Sequence, residues 1–90
     1  MNRPYLAIPT EVVDAVHYDI EATFAVVWLY RRSEQMNGAP FPCSSRMAQE
    51  AWRMGTSRVE ALLARLISLG VVEVVKPGIG HSPRWLRVVQ

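Results

Sequence analysis

Cysteine is almost missing from this sequence: Cys43 stands alone among 90 residues. No intrachain disulfide can form, which excludes the small disulfide-built scaffolds. Long apolar runs are missing too. The richest apolar segment, Ala22 to Tyr30, is broken by Thr23 and falls well short of the roughly 18 residues a bilayer span needs. The opening MNRPYLAIP has one arginine and an early proline in place of an apolar signal core, so the expectation is a cytoplasmic protein with no membrane contact. Histidine is scarce. His17, His81 and Cys43 have no zinc-ligand spacing, and Gly78-Ile79-Gly80 falls in an expected hairpin, not before a helix, as a phosphate-cradling loop would. Cys43 lies just before an expected helix N-terminus, which should lower its pKa. With only His17 and His81 as bases and no second nucleophile signature, the chain is expected to be no enzyme and to use no cofactor, metal or small-molecule ligand.

Net charge is also small, +2, and lysine is reduced to Lys76 alone. What is present is a lopsided distribution. Residues 1–42 carry three arginines against five acids (net −2), whereas residues 43–90 carry six arginines and Lys76 against Glu50, Glu60 and Glu73 (net +4). Nine of the ten cations are arginine, the side chain whose planar fork suits phosphate and guanine. A basic half joined to an acidic half is the electrostatic footprint expected of a small DNA binder. Half of all residues are apolar, enough for one modest core and one domain over residues 1–90.

Periodicity and turn chemistry divide the chain. Tyr5–Ile8 reads as a short strand or an extended lead-in stopped by Pro9. Thr10 is placed to cap a brief helix through Val16, with Glu11 in its first turn. Asp19 precedes a longer helix, Ile20 to Gln35. Its apolar residues form one face at Ile20, Phe24, Val27 and Trp28 and a second at Ala22, Val26, Leu29 and Tyr30. A helix apolar around so much of its circumference is central to the domain or part of a dimer interface, and a homodimer through Val26, Leu29 and Tyr30 is expected. Asn37 to Pro42 reads as a break. Ser44 or Ser45 then caps a short helix ending near Trp52. After Arg53-Met54-Gly55 a third helix starts at Thr56 or Ser57 and runs to about Leu69, with Val59, Leu62, Leu63, Leu66 and Ile67 as its buried stripe and Gly70 as its left-handed stop. Val71–Val75 and Arg84–Val89 read as strands around a loop from Lys76 to Pro83. A two-stranded hairpin is marginal alone and needs the third helix's apolar stripe to cover. The expected fold is mainly α with a C-terminal β-hairpin: a trihelical core plus a wing.

Residues 44–75, SSRMAQEAWRMGTSRVEALLARLISLGVVEVV, resemble winged helix-turn-helix proteins. Met47-Ala48 stands where that family has a Leu-Ala step, Thr56-Ser57-Arg58-Val59 opens the recognition helix, and Leu63, Leu66, Gly70 and Val71 match its tail. The wider layout, "YLAIP" at the start and "APFPCSS" before the second helix of the motif, looks like the DNA-binding domains of phage and plasmid replication proteins. The resemblance implies sequence-specific binding of double-stranded DNA, by a small replication or transcription regulator. One feature departs from the pattern: the family's turn glycine falls four residues after the alanine, where this chain has Trp52, and Gly55 is displaced toward the next helix.

A helix fits the major groove, about 12 Å wide, and its first turns reach base edges. Opposite the buried stripe, residues 56–69 offer Ser57, Arg58, Ala61, Ala64, Arg65 and Ser68. Small side chains let the backbone approach the groove floor. Arg58, in the first turn beside Thr56, is the candidate for guanine, Ala61 for a thymine methyl, and Arg65 for phosphate. Arg46 and the free N–H groups around Ser45 suit a phosphate at a helix N-terminus, and Arg53 lies in the turn. Lys76, His81 and Arg84 flank the wing loop, set to lie along the backbone or enter the minor groove. Each has a plainer reading: Arg58 as a solvated helix residue, His81 as an ordinary loop histidine, Arg84 and Arg87 as charges that keep an edge strand from pairing. Trp85, expected to point outward, would pack on a sugar or on a partner protein. The rival function is a winged-helix protein-interaction module without DNA binding.

Overall fold

A computed structural model describes residues 8–89; most of the lead-in expected at Tyr5–Ile8 lies outside them. Seven elements follow in order: α1 (Thr10–Val16), α2 (Ile20–Gln35), β1 (Phe41–Pro42), α3 (Ser45–Trp52), α4 (Thr56–Ser68), β2 (Val72–Lys76) and β3 (Trp85–Val88). The strands form one antiparallel sheet in the order β1-β3-β2. The result is a small α/β fold whose C-terminal hairpin projects like a wing.

The helix starts differ in their chemistry. Asp19 caps α2, its Oδ1 accepting from the Ala22 N–H at 3.1 Å, and Ser44 caps α3, accepting from the Met47 N–H at 3.1 Å. Thr10 is not a cap: Pro9 holds that position without a side-chain bond, and Thr10 is the first helical residue. Gly55 precedes α4 in the same way. The far end of α4 closes as its sequence suggests. Gly70 takes φ +74°, its N–H donates to Ile67 O, and the Val71 N–H donates to Leu66 O, both at 3.0 Å. That paired closure ends the helix and sends the chain straight into β2, which sets the hairpin against α4.

The faces of α2 are the reverse of the dimer expectation. Ala22, Ala25, Val26, Leu29 and Tyr30 are buried inside the chain, and Ile20 and Phe24 stand in solvent. Val26, Leu29 and Tyr30 are therefore core residues and no surface. Apolar residues ring this helix, so periodicity alone does not choose a face. The alanines do, because only that side lets α3 and β3 approach closely. On α4, Val59, Leu62, Leu63 and Leu66 are buried as the spacing predicts, but Ile67 is exposed.

Residues 41–42, read as part of a break, are strand β1. Phe41 pairs with Leu86 and Pro42 with Trp85. Two residues between prolines are too few to show alternation, and β1 exists because β3 offers it a free edge; an edge strand also tolerates Pro42. The core lies between the sheet and the helices, with Leu29, Phe41, Val59, Leu66, Val71 and Leu86 fully enclosed. Trp28, partly buried, meets Phe41 and Trp52 edge-on, with ring centroids 6.4 and 5.9 Å away, and Arg32 lies over its outer face at 5.2 Å. Trp85 is half-buried rather than turned fully outward.

Candidate nucleic-acid interface

Helix α4 presents Thr56, Ser57, Arg58, Ala61, Ala64, Arg65 and Ser68 to solvent, the face that its spacing predicts. Its two arginines, however, are already engaged. The Arg58 Nη2 lies 2.6 Å from Glu21 Oε1 and 3.5 Å from both Asp19 carboxylate oxygens. The Arg65 Nη2 donates to Ala15 O at 2.7 Å. Both reach sideways to the corner between α1 and α2, and a shallow hollow lined by Asp19, Ser57, Arg58, Ala61 and Arg65 lies between. The sequence reading missed Asp19 and Glu21 as partners because they lie nearly forty residues away from Arg58.

On the other flank of α4 a second arginine is held more firmly. Arg84 donates from Nη1 and Nη2 to the two oxygens of Glu60, at 3.1 and 3.3 Å, and from Nε to Cys43 O at 3.2 Å. The Ser45 hydroxyl donates to the same Glu60 carboxylate. These bonds from Arg84 and Ser45 hold the Glu60 carboxyl below its ordinary value against a smaller opposing effect of burial. The Arg84 side chain is only 18% exposed. Its expected role on a phosphate is therefore corrected: its donors knit β3, α4 and the start of α3 together. Ser45 belongs to the same cluster, so its hydroxyl is not free for a phosphate, although the backbone N–H groups of the α3 start are unaffected.

The remaining cations are more open. Arg46 is exposed and makes only an i,i+4 contact with Glu50 at 3.5 Å. Arg53 is exposed in the turn between α3 and α4, at φ +57°. Glycine favours that left-handed conformation and other residues adopt it at a cost, so the stop expected of a glycine here is made by an arginine. Lys76 and His81 are exposed on the hairpin. At its tip Gly80 takes φ +59° and Ile79, which bridges to Ser82, is exposed; the sequence showed the Gly-Ile-Gly pattern but not that this isoleucine would crown the wing. Arg87 pairs with Glu73 across the hairpin, away from this set.

Cys43 needs a second correction. It is fully buried, and burial pushes its thiol up to about 11, against smaller opposing effects of Arg84 and Arg32. The expected lowering by a helix N-terminus does not occur, because desolvation outweighs it. Burial, with a smaller contribution from Glu11, also raises Tyr30, whose hydroxyl is enclosed without a hydrogen-bond partner. Among the described residues no group of three or more His, Cys, Asp or Glu could hold a metal ion, and no helix is long and apolar enough to cross a membrane. Comparison with protein-family models, with curated proteins and with solved structures gives no match.

Proposed function

We propose that this chain is a winged helix-turn-helix domain that binds double-stranded DNA, with α4 in the major groove and the 76–84 hairpin loop along the backbone, acting as a phage- or plasmid-type replication or transcription regulator. The observation that carries the reading is the solvent face of α4. It combines small residues with two arginines, on a helix anchored at one flank by Glu60 and at its end by the Gly70 closure. A groove-reading helix has to be rigid and closely approachable, and this one is both. The element order α2-β1-α3-α4-β2-β3 with sheet order β1-β3-β2 supports the same reading, since it sets a helix-turn-helix pair directly before a hairpin. Arg46, Arg53, Arg65 and Lys76 supply the phosphate contacts, together with the N–H groups at the start of α3.

The test is a titration of random-sequence duplex by fluorescence anisotropy, followed by selection of the preferred site. Four to six neutralised phosphates give a log–log salt slope of about −4 to −5. Binding that ignores salt, or none at about 50 mM salt, removes the reading. The protein-interaction alternative then stands, favoured by the exposed apolar side of α2.

A further inference from the structure

The side of α2 that faces away from the core is apolar at its centre. Ile20, Phe24 and Val27 follow one another at i, i+4 and i+7, and Arg31 continues the row. Ile20 is 85% exposed and Phe24 50%, with Tyr18 beside them at 93%. Scattered surface apolar residues need no explanation, but a contiguous row of large ones on one helix marks an interface. An apolar hollow lined by His17, Ile20, Thr23, Phe24 and Val27 lies along the row.

Charge identifies the occupant. Asp14, Asp19 and Glu21 gather at the N-terminal end of the row and outnumber Arg58 and Arg65, which reach that corner. Arg31 and Arg32 outnumber Glu34 at the other end. The row is thus net acidic at one end, apolar in the middle and net basic at the other. Such a surface complements its own copy turned end for end, and antiparallel helix dipoles favour the same arrangement. Nucleic acid does not fit an apolar strip with an acidic end.

We infer that this face binds a second copy of the chain, α2 against α2 in antiparallel, two-fold symmetric contact. Phe24 and Val27 straddle the axis, each Phe24 entering the hollow of the other copy, and Arg31 of each copy meets the acidic corner of the other. A helix of 16 residues is about 24 Å long, which gives an interface at the small end of the stable range and association in the micromolar regime. The dimer is independent of the DNA reading, and no arm of its test contains DNA.

Sedimentation of the full chain up to about 0.5 mM, well above that regime, should show a mass rising to twice that of one chain. Phe24→Glu should stay monomeric at every concentration while keeping its melting temperature. Cross-linking reads the orientation, and the buried Cys43 leaves an introduced thiol to report alone. Under mild oxidation Val27→Cys, near the axis, should form a covalent dimer. Ile20→Cys and Arg31→Cys should each fail alone and cross-link when mixed. A wild-type chain that remains monomeric overturns the inference. So does Ile20→Cys linking to itself as readily as Val27→Cys, which would mean parallel helices.

Discussion

Helix α4 is tied to its neighbours by an arginine–carboxylate contact on each flank, and the two contacts differ in kind. On the sheet side Arg84 spends its guanidinium on Glu60 and on a backbone carbonyl, and water reaches little of it. On the α2 side Arg58 meets Glu21 and Asp19 with half of its side chain still in water, at 52% exposure. Charge-assisted bonds shielded from solvent are strong, and losing one partner leaves the other unsatisfied. Exposed pairs contribute about 0.2–1 kcal/mol, because water and salt compete for both partners. The lesson is that one arginine is architecture and the other is available. A DNA phosphate or guanine can take Arg58 from its carboxylates, whereas taking Arg84 would loosen the hairpin.

The comparison sharpens first through Arg58→Ala. If α4 reads the major groove, this change should cost roughly 1–3 kcal/mol on the preferred site and relax the preference at one base pair. Scrambled duplex should lose far less, and the melting temperature should barely move. Titration against both duplexes is the measurement. Unchanged affinity for both in a folded variant would remove α4 from the groove.

Arg84→Ala should do the opposite. We expect a stability loss of about 1–2 kcal/mol, kept low because Glu60 is itself half exposed, and a fall in melting temperature of roughly 5–10 °C. The salt slope of DNA binding should hold, where a phosphate contact would have reduced it by about one. Acid reads the same tie. The folded-state pKa of Glu60 lies below its ordinary 4.5, so its contribution is present above that value and is lost as pH falls below it through the folded pKa. Glu60→Gln should flatten that part of the acid-unfolding curve. If Arg84→Ala melts like the wild type while the salt slope falls, Arg84 is the phosphate contact and the two flanks trade roles.

The smallest effect is expected from Glu21→Gln. It weakens the intramolecular competitor for Arg58 and removes a negative charge that repels phosphates. DNA affinity should rise, by up to about five-fold for a pair worth at most 1 kcal/mol, with stability nearly unchanged. A fall in affinity would mean that Glu21 aims Arg58 at its target instead of withholding it.

The elements themselves were legible along the chain wherever local chemistry sufficed. Asp19 and Ser44 mark helix starts because a short side chain there reaches an N–H three residues on. Gly70 marks a stop because it takes φ > 0 without penalty, and the i, i+3, i+4 rhythm of Val59, Leu62, Leu63 and Leu66 gives the buried side of α4. The solvent face of α4 follows from the same rhythm, so the candidate contact residues Ser57, Arg58, Ala61 and Arg65 could be named in advance. These signals lie within one turn of helix, and no distant residue is needed to read them.

Tertiary structure alone decided what those residues touch. Which side of α2 is buried depended on where α3 and β3 could approach its alanines, and a helix apolar all round carries no such information. Phe41–Pro42 became a strand because β3 presented an open edge. Cys43 rose to about 11 because the core closed over it, a change no flanking residue predicts. Arg84 and Arg58 look alike in sequence. They part only when folding brings Glu60 to one and Glu21 to the other, and when the sheet keeps water from the first but not from the second. Electrostatic strength depends on distance and on solvent, and both are settled by contacts between residues far apart in the chain.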